Sequence, residues 1–156
     1  MLRSRMLALT LVCLGWAVVA AAKDFALVSN KGNAVEAVTV AELGKICKGQ
    51  MDRWPDGKPV SLVTRDPASP EMRLVLEKIY GISREEVPVL INTANHSRVN
   101  HPAIVVVDSD EAVVKKVESS PGAVGLVDVY AITGSVKVVR VGGKLPLEPG
   151  YALHGN

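Results

Sequence analysis

The sequence predicts an α/β fold, a mixed or mostly parallel sheet with helices packed on it. Two observations point there. Short apolar runs rich in Val, Ile and Leu alternate with segments whose apolar residues recur at helical spacing, the pattern of a layered α/β domain. The segments are punctuated by helix caps and Gly- or Pro-containing turns, with no low-complexity stretch and no internal repeat between them.

Along the chain, Arg3 and Arg5 give a positive start, Met6 to Val19 runs apolar without a charge, and Ala20-Ala21-Ala22 supplies small residues before Lys23. Charged start, apolar middle and small-residue exit make a secretory signal peptide over residues 1–22. The apolar run is short for a spanning helix, which needs about 20 apolar residues. Val12 ahead of Cys13 is not the small residue that lipoprotein processing requires. Removing 22 residues from 156 leaves 134, a length that suggests one domain. The precursor carries 18 basic and 16 acidic residues; without Arg3 and Arg5 the two are equal, so the charge balance gives no support to a nucleic-acid or anionic-membrane partner. Of two cysteines, Cys47 alone follows the signal, so an internal disulfide is excluded and stability rests on an apolar core.

Phe25 to Ser29 reads as a strand ended by Asn30-Lys31-Gly32-Asn33. Thr39 and Glu42 have capping-box spacing and open a helix through Leu43, Ile46 and Cys47 that Gly49 stops. Trp54-Pro55-Asp56-Gly57 is a turn, and Val60 to Thr64 a second strand. Ser69-Pro70 begins a helix with serine as cap and proline at its first position, carried by Met72, Val75, Leu76 and Ile79. Ser83 to Glu86 is another capping box. Ile104 to Val107 is a buried-looking strand, and a helix begins in Asp108 to Glu111 and runs through Val113, Val114 and Val117 to Pro121-Gly122. Ala123 to Val127 and Val136 to Val141 are the last strands. The domain is read as 23–141, and the Gly- and Pro-rich tail 142–156 as loose. The expected core includes Leu43, Ile46, Val63, Leu76, Ile79, Val105, Val106, Val114 and Val124.

Sheets of this class place ligands beyond the carboxyl ends of their strands, which directs attention to loops 29–33, 65–69, 108–110 and 128–134. The best local candidate is Arg65-Asp66-Pro67-Ala68-Ser69-Pro70, which leaves a strand and enters a helix start. Free N–H groups there favour an anion, Ser69 offers a hydroxyl, and Arg65 offers charge-assisted bonds. Asn30, on a neighbouring loop, is the third expected contact. Pro70 removes one donor and Glu71 adds a negative charge. The alternative is that Ser69 and Glu71 cap the helix while Arg65 pairs with Asp66 or Glu71. Three histidines, His96, His101 and His154, lack the ligand spacing of a zinc site, and no cofactor is expected. Cys47 reads as a buried small hydrophobe. There is no Gly-x-Ser-x-Gly elbow and no Gly-rich phosphate loop, so no enzyme is read here.

The run Val38-Thr39-Val40-Ala41-Glu42-Leu43, Ile46-Cys47-Lys48-Gly49 and Trp54-Pro55-Asp56-Gly57, followed by Ser119-Ser120-Pro121-Gly122-Ala123-Val124-Gly125-Leu126-Val127, resembles in order and spacing the phosphate-binding proteins of ABC importers. The resemblance extends over roughly residues 25–140. It implies one lobe of a type II periplasmic-binding-protein fold, a periplasmic location, phosphate or a similar small oxyanion as ligand, and an ABC importer or other membrane protein as partner. Full-length members close two lobes on the ligand, and the sequence here reads as the second. In the family's phosphate loop Arg65 and Ser69 match, while Pro70 and Glu71 stand where Gly and Thr are expected. Cys47 replaces a Phe and Leu126 a Tyr. These departures imply weak binding by the domain on its own. A periplasmic interaction module that contacts an importer, sensor or receptor without tight ligand binding is the alternative.

Overall fold

The computed structural model describes residues 23–155; the signal-peptide reading lies outside the described residues. The strands are β1 (Phe25–Asn30), β2 (Ala37–Val38), β3 (Ser61–Thr64), β4 (Ile104–Val106), β5 (Ala123–Asp128) and β6 (Val136–Val141). They form one mixed sheet in the order β2-β6-β1-β5-β3-β4. β1 is antiparallel to both neighbours, with Phe25 opposite Asp128 and Ser29 opposite Val124. The other pairs are parallel, so β1 runs against the remaining five strands.

The alternation of side chains along the central strands β1, β3 and β5 buries both faces. Leu27, Leu62, Val124, Leu126 and Val139 face one layer, where they meet Leu43, Ile46 and Cys47 of α1 (Val40–Cys47) and Met72, Val75 and Ile79. Ala26, Val28, Val63 and Val127 face the other, against Val113, Val114 and Val117 of α4 (Asp110–Ser119). The capping box that opens α1 forms as its spacing predicts: Glu42 N–H donates to Thr39 Oγ1 at 3.0 Å, and Thr39 N–H to Glu42 Oε2 at 2.8 Å. Ser83 and Glu86 form the second box ahead of α3 (Val87–Asn95).

The helical run 70–80 is a composite of a 3-10 turn (Pro70–Met72), α2 (Arg73–Val75) and a π turn (Leu76–Tyr80). Ser69 has the extended backbone of a cap, but its side chain makes no capping bond. Two glycines fix how the layers meet. Gly122 lies at φ +84°, where a Cβ would collide with the Pro59 carbonyl, and its own carbonyl accepts the Trp54 indole N–H at 2.7 Å. Gly125 lies under α4, where a Cβ would stand 2.5 Å from Val113 Cγ1 and 2.9 Å from Val117 Cγ2.

Two expectations need correction. The tail after Gly142 is packed: Tyr151 and Leu153 are buried, Phe25 N–H donates to Leu153 O at 3.1 Å, and the Tyr151 hydroxyl donates to Phe25 O at 2.7 Å. The buried Asp24 carboxylate accepts Leu147 N–H at 2.7 Å and sits 2.6 Å from His154 Nδ1. Glycine and proline here shape a strap rather than a floppy end. Val106 is 43% exposed and Val105 half-buried, because β4 is an edge strand with one covered flank.

Candidate functional site

Sheet direction decides which sequence-predicted residues meet. Arg65 follows the carboxyl end of β3. The same edge receives Asp110 at the start of α4, Asp128 at the end of β5, and Lys23, which precedes β1. These four line one hollow of about 600 Å³ with residues of the run 70–80. Asn30 does not join them. Because β1 is antiparallel, its last residue lies level with the beginning of β5, while Arg65 lies level with Val127. At about 3.3 Å per residue the two are about 13 Å apart along the sheet. The Asn30 amide is also committed: its N–H groups donate to Val117 O and Glu118 O at 3.0 and 2.9 Å, and its Oδ1 accepts Gly32 N–H at 2.8 Å. Asn30 therefore caps the carboxyl end of α4 and leaves the ligand-contact set.

The hollow holds Lys23, Arg65, Arg73 and Lys78 against Glu71, Glu77, Asp110 and Asp128. Most of this charge is already paired. Arg65 Nε lies 3.0 Å from Asp110 Oδ1, Arg73 Nε 2.8 Å from Glu77 Oε1, and Lys23 Nζ 3.5 Å from Asp128 Oδ2. Lys78 Nζ donates to His154 O at 2.9 Å. Arg65 thus pairs with Asp110, neither Asp66 nor Glu71. The helix start offers fewer amides than the sequence suggested. Ala68 N–H donates to Asp66 Oδ1, Ser69 N–H donates to Asp66 O, and Pro70 has none. Ser69 opens on an adjoining hollow with Ile82, Ser83 and Arg84, sharing Pro70, Arg73 and Glu77 with the first.

One feature still marks this region. Four buried side-chain polar atoms among the described residues lack a hydrogen-bond partner in the protein, and three of them are Arg65 Nε, Ser69 Oγ and Asp110 Oδ1. The Arg65–Asp110 contact is close enough for an ion pair, but the N–H is not aimed at the oxygen. Buried polar atoms are nearly always satisfied, and each that is not calls for an explanation, by ordered water, an ion or a ligand. Burial raises the Asp110 carboxyl above its usual range, against the opposing pull of the Arg65 charge. Asp110 is the contributor that sequence reasoning missed. The loop 108–110 stood among the strand-end loops, but Asp110 read there as part of a helix start.

The other candidates resolve simply. Cys47 is fully buried, and burial pushes its thiol up to about 12. His96 and His101 are exposed. Among the described residues no helix is long and apolar enough to cross a membrane.

No protein-family model and no curated protein matches the chain. Solved structures do. An ABC-type phosphate transport receptor from Vibrio cholerae superposes with a TM-score of 0.68 at 22% identity, covering 86% of this chain and 54% of that one. PstS from Borrelia burgdorferi gives 0.64 at 15%, covering 86% and 55%. A phosphate binding protein from Stenotrophomonas maltophilia gives 0.59 at 17%, covering 80% and 40%. The chain spans about half the length of the first two and less of the third. Its fold, a six-stranded mixed sheet flanked by helices, is that of the phosphate-binding substrate receptors of ABC transporters over that part of their length.

Proposed function

We propose that the protein is a periplasmic solute-binding-protein-like domain, not an enzyme, that takes phosphate or a similar small oxyanion weakly on its own at the hollow around Arg65. The observation that carries this reading is the Arg65–Asp110 pair, a cation and a carboxylate 3.0 Å apart whose facing atoms make no hydrogen bond within the protein, at the strand-end edge of a fold shared with phosphate receptors. Arg65 supplies the cation. Asp110 accepts a hydrogen from the ligand, so the pair suits an oxyanion that keeps a proton at neutral pH, as phosphate does and sulfate does not. Ser69 stands across Pro70 as a further donor. Binding is weak because Asp110 already neutralises Arg65, Glu71 and Glu77 oppose an anion, and the hollow is open to water. A millimolar constant, about 4 kcal/mol, fits these terms. Cleavage after Ala22 and partnership with an importer complete the reading.

Titration calorimetry of the processed protein with phosphate and with sulfate tests it. Millimolar phosphate binding, lost in Arg65→Ala and without a sulfate counterpart, is expected. Micromolar binding, or equal heats from phosphate and sulfate, would refute it.

A second reading, an interaction module without tight ligand binding, draws on the pairing of most charges in the hollow. In that case Arg65→Ala leaves the calorimetric trace unchanged because the parent gives no heat.

A further inference from the structure

We infer that the groove along the free edge of β2 is a docking site for an extended peptide segment that carries an apolar side chain and a cation. The groove, about 340 Å³, runs between residues 34–38 and the loop 51–56. None of its lining residues lines the hollow around Arg65.

Three features of this edge set the chemistry of the occupant. The first is its backbone. β2 is the last strand on its side of the sheet and pairs with β6. Arg140 N–H donates to Glu36 O at 3.0 Å and Gly142 N–H to Val38 O at 2.9 Å, so Glu36 and Val38 turn their backbone towards β6. Ala37 between them turns its N–H and C=O away from the sheet. Ala37 is exposed and Val38 buried, on opposite faces of the strand, yet both line the groove. A groove that touches both faces follows the edge itself, where a free donor and acceptor suit the backbone of an added strand.

The second feature is an apolar wall fixed in advance. Val35, Val38, Met51, Trp54 and Pro55 line the groove. The Trp54 indole N–H donates to Gly122 O at 2.7 Å and Gly57 N–H to Trp54 O at 2.8 Å, which hold the loop in place. This wall receives an apolar side chain, and the peptide brings it. The third feature is charge. The two charged residues that line the groove, Glu42 and Asp56, are both acidic. Lys58 answers Asp56 at 3.0 Å. Glu42 makes no ion pair with any described residue. One of its carboxylate oxygens accepts Thr39 N–H, and the other is left for a cation on the peptide.

Trp54 reports on the groove directly, because it is the one tryptophan left when residues 1–22 are removed. The test follows its fluorescence in the processed protein during titration with the peptide acetyl-Lys-Val-Thr-Val-Lys-amide and with a counterpart carrying glutamate at both ends. A saturable change at millimolar lysine peptide is expected, with affinity for the glutamate peptide at least about threefold weaker. Glu42→Gln, which keeps the bond to Thr39 N–H, removes that preference. Ala37→Pro deletes the outward N–H and leaves the β2–β6 bonds in place, so the variant melts with the parent and binds the lysine peptide about tenfold more weakly. Equal affinity for the two peptides, no response to either, or an Ala37→Pro variant that binds like the parent overturns the proposal. So does Trp54 emission that changes with protein concentration alone, which would put a second copy on this edge.

Discussion

The packed tail gives the sharpest stability prediction. The Leu153 side chain is fully buried against the layer that holds Phe25, and its carbonyl accepts the Phe25 N–H. Leu153→Ala removes three carbons' worth of apolar burial, about 2.4 kcal/mol at 0.8 kcal/mol per methylene. The cavity adds to this, and buried Leu→Ala changes span roughly 2.7–5 kcal/mol. A strap without helix or strand of its own relaxes more readily than a helix core, which places the loss near the lower end, about 3 kcal/mol. For a domain of this size that lowers the melting temperature by about 10 °C. Thermal unfolding followed by circular dichroism measures it. Leu147→Ala, at an exposed position on the same strap, serves as the control and shifts the melt by less than about 0.5 kcal/mol. A Leu153→Ala loss below about 1 kcal/mol, equal to the control, would mean that the strap is as loose as its composition suggests and would refute the packing argument.

Three further outcomes follow from the same geometry. Gly125→Ala pushes a methyl into Val113 and Val117 and destabilises the domain by about 1–3 kcal/mol, read from urea unfolding; an unchanged midpoint would show that α4 does not seat on β5 as described. Native Cys47 resists thiol reagents at pH 8, because burial both hides it and lifts its thiol from 9.0 to about 12, and it reacts promptly in denaturant; rapid native labelling would contradict its placement. Because burial raises the Asp110 carboxyl, its contribution to stability is full below the ordinary carboxylate range and lost as pH rises through its raised folded value. Asp110→Asn therefore melts at or above the parent at neutral pH, and this advantage shrinks on acidification; an advantage that grows towards low pH would reverse the sign.

Much of the fold was legible because its signals are local. The capping boxes at Thr39 and Ser83 depend on spacing within one turn, and both form. The strands from Phe25 and from Ala123 declare themselves by continuous apolar runs, as strands buried on both faces do. What the sequence hid was set by partners far away in the chain. The reversed direction of β1, which separates Asn30 from Arg65, comes from its pairing with β5 and β6 about a hundred residues later. The packing of Tyr151 and Leu153 depends on Asp24 and Phe25 at the other end of the domain, and Gly-Pro composition carries no trace of that. The exposure of Val106 follows from β4 being the last strand of the sheet, a fact of topology rather than of its own residues. At the site, Arg65 was readable as a cation after a strand. Its partner Asp110 was not, because 45 residues and a parallel crossover separate them.

The site itself is tested most directly by titrating phosphate into isotope-labelled protein and following backbone amide shifts by NMR. The account predicts shifts that saturate with a millimolar midpoint and gather at Arg65, Ser69, Asp110 and Asp128, with Asn30 still, and that vanish in Arg65→Ala. Shifts centred on Asn30, or shifts that persist unchanged in Arg65→Ala, would contradict it.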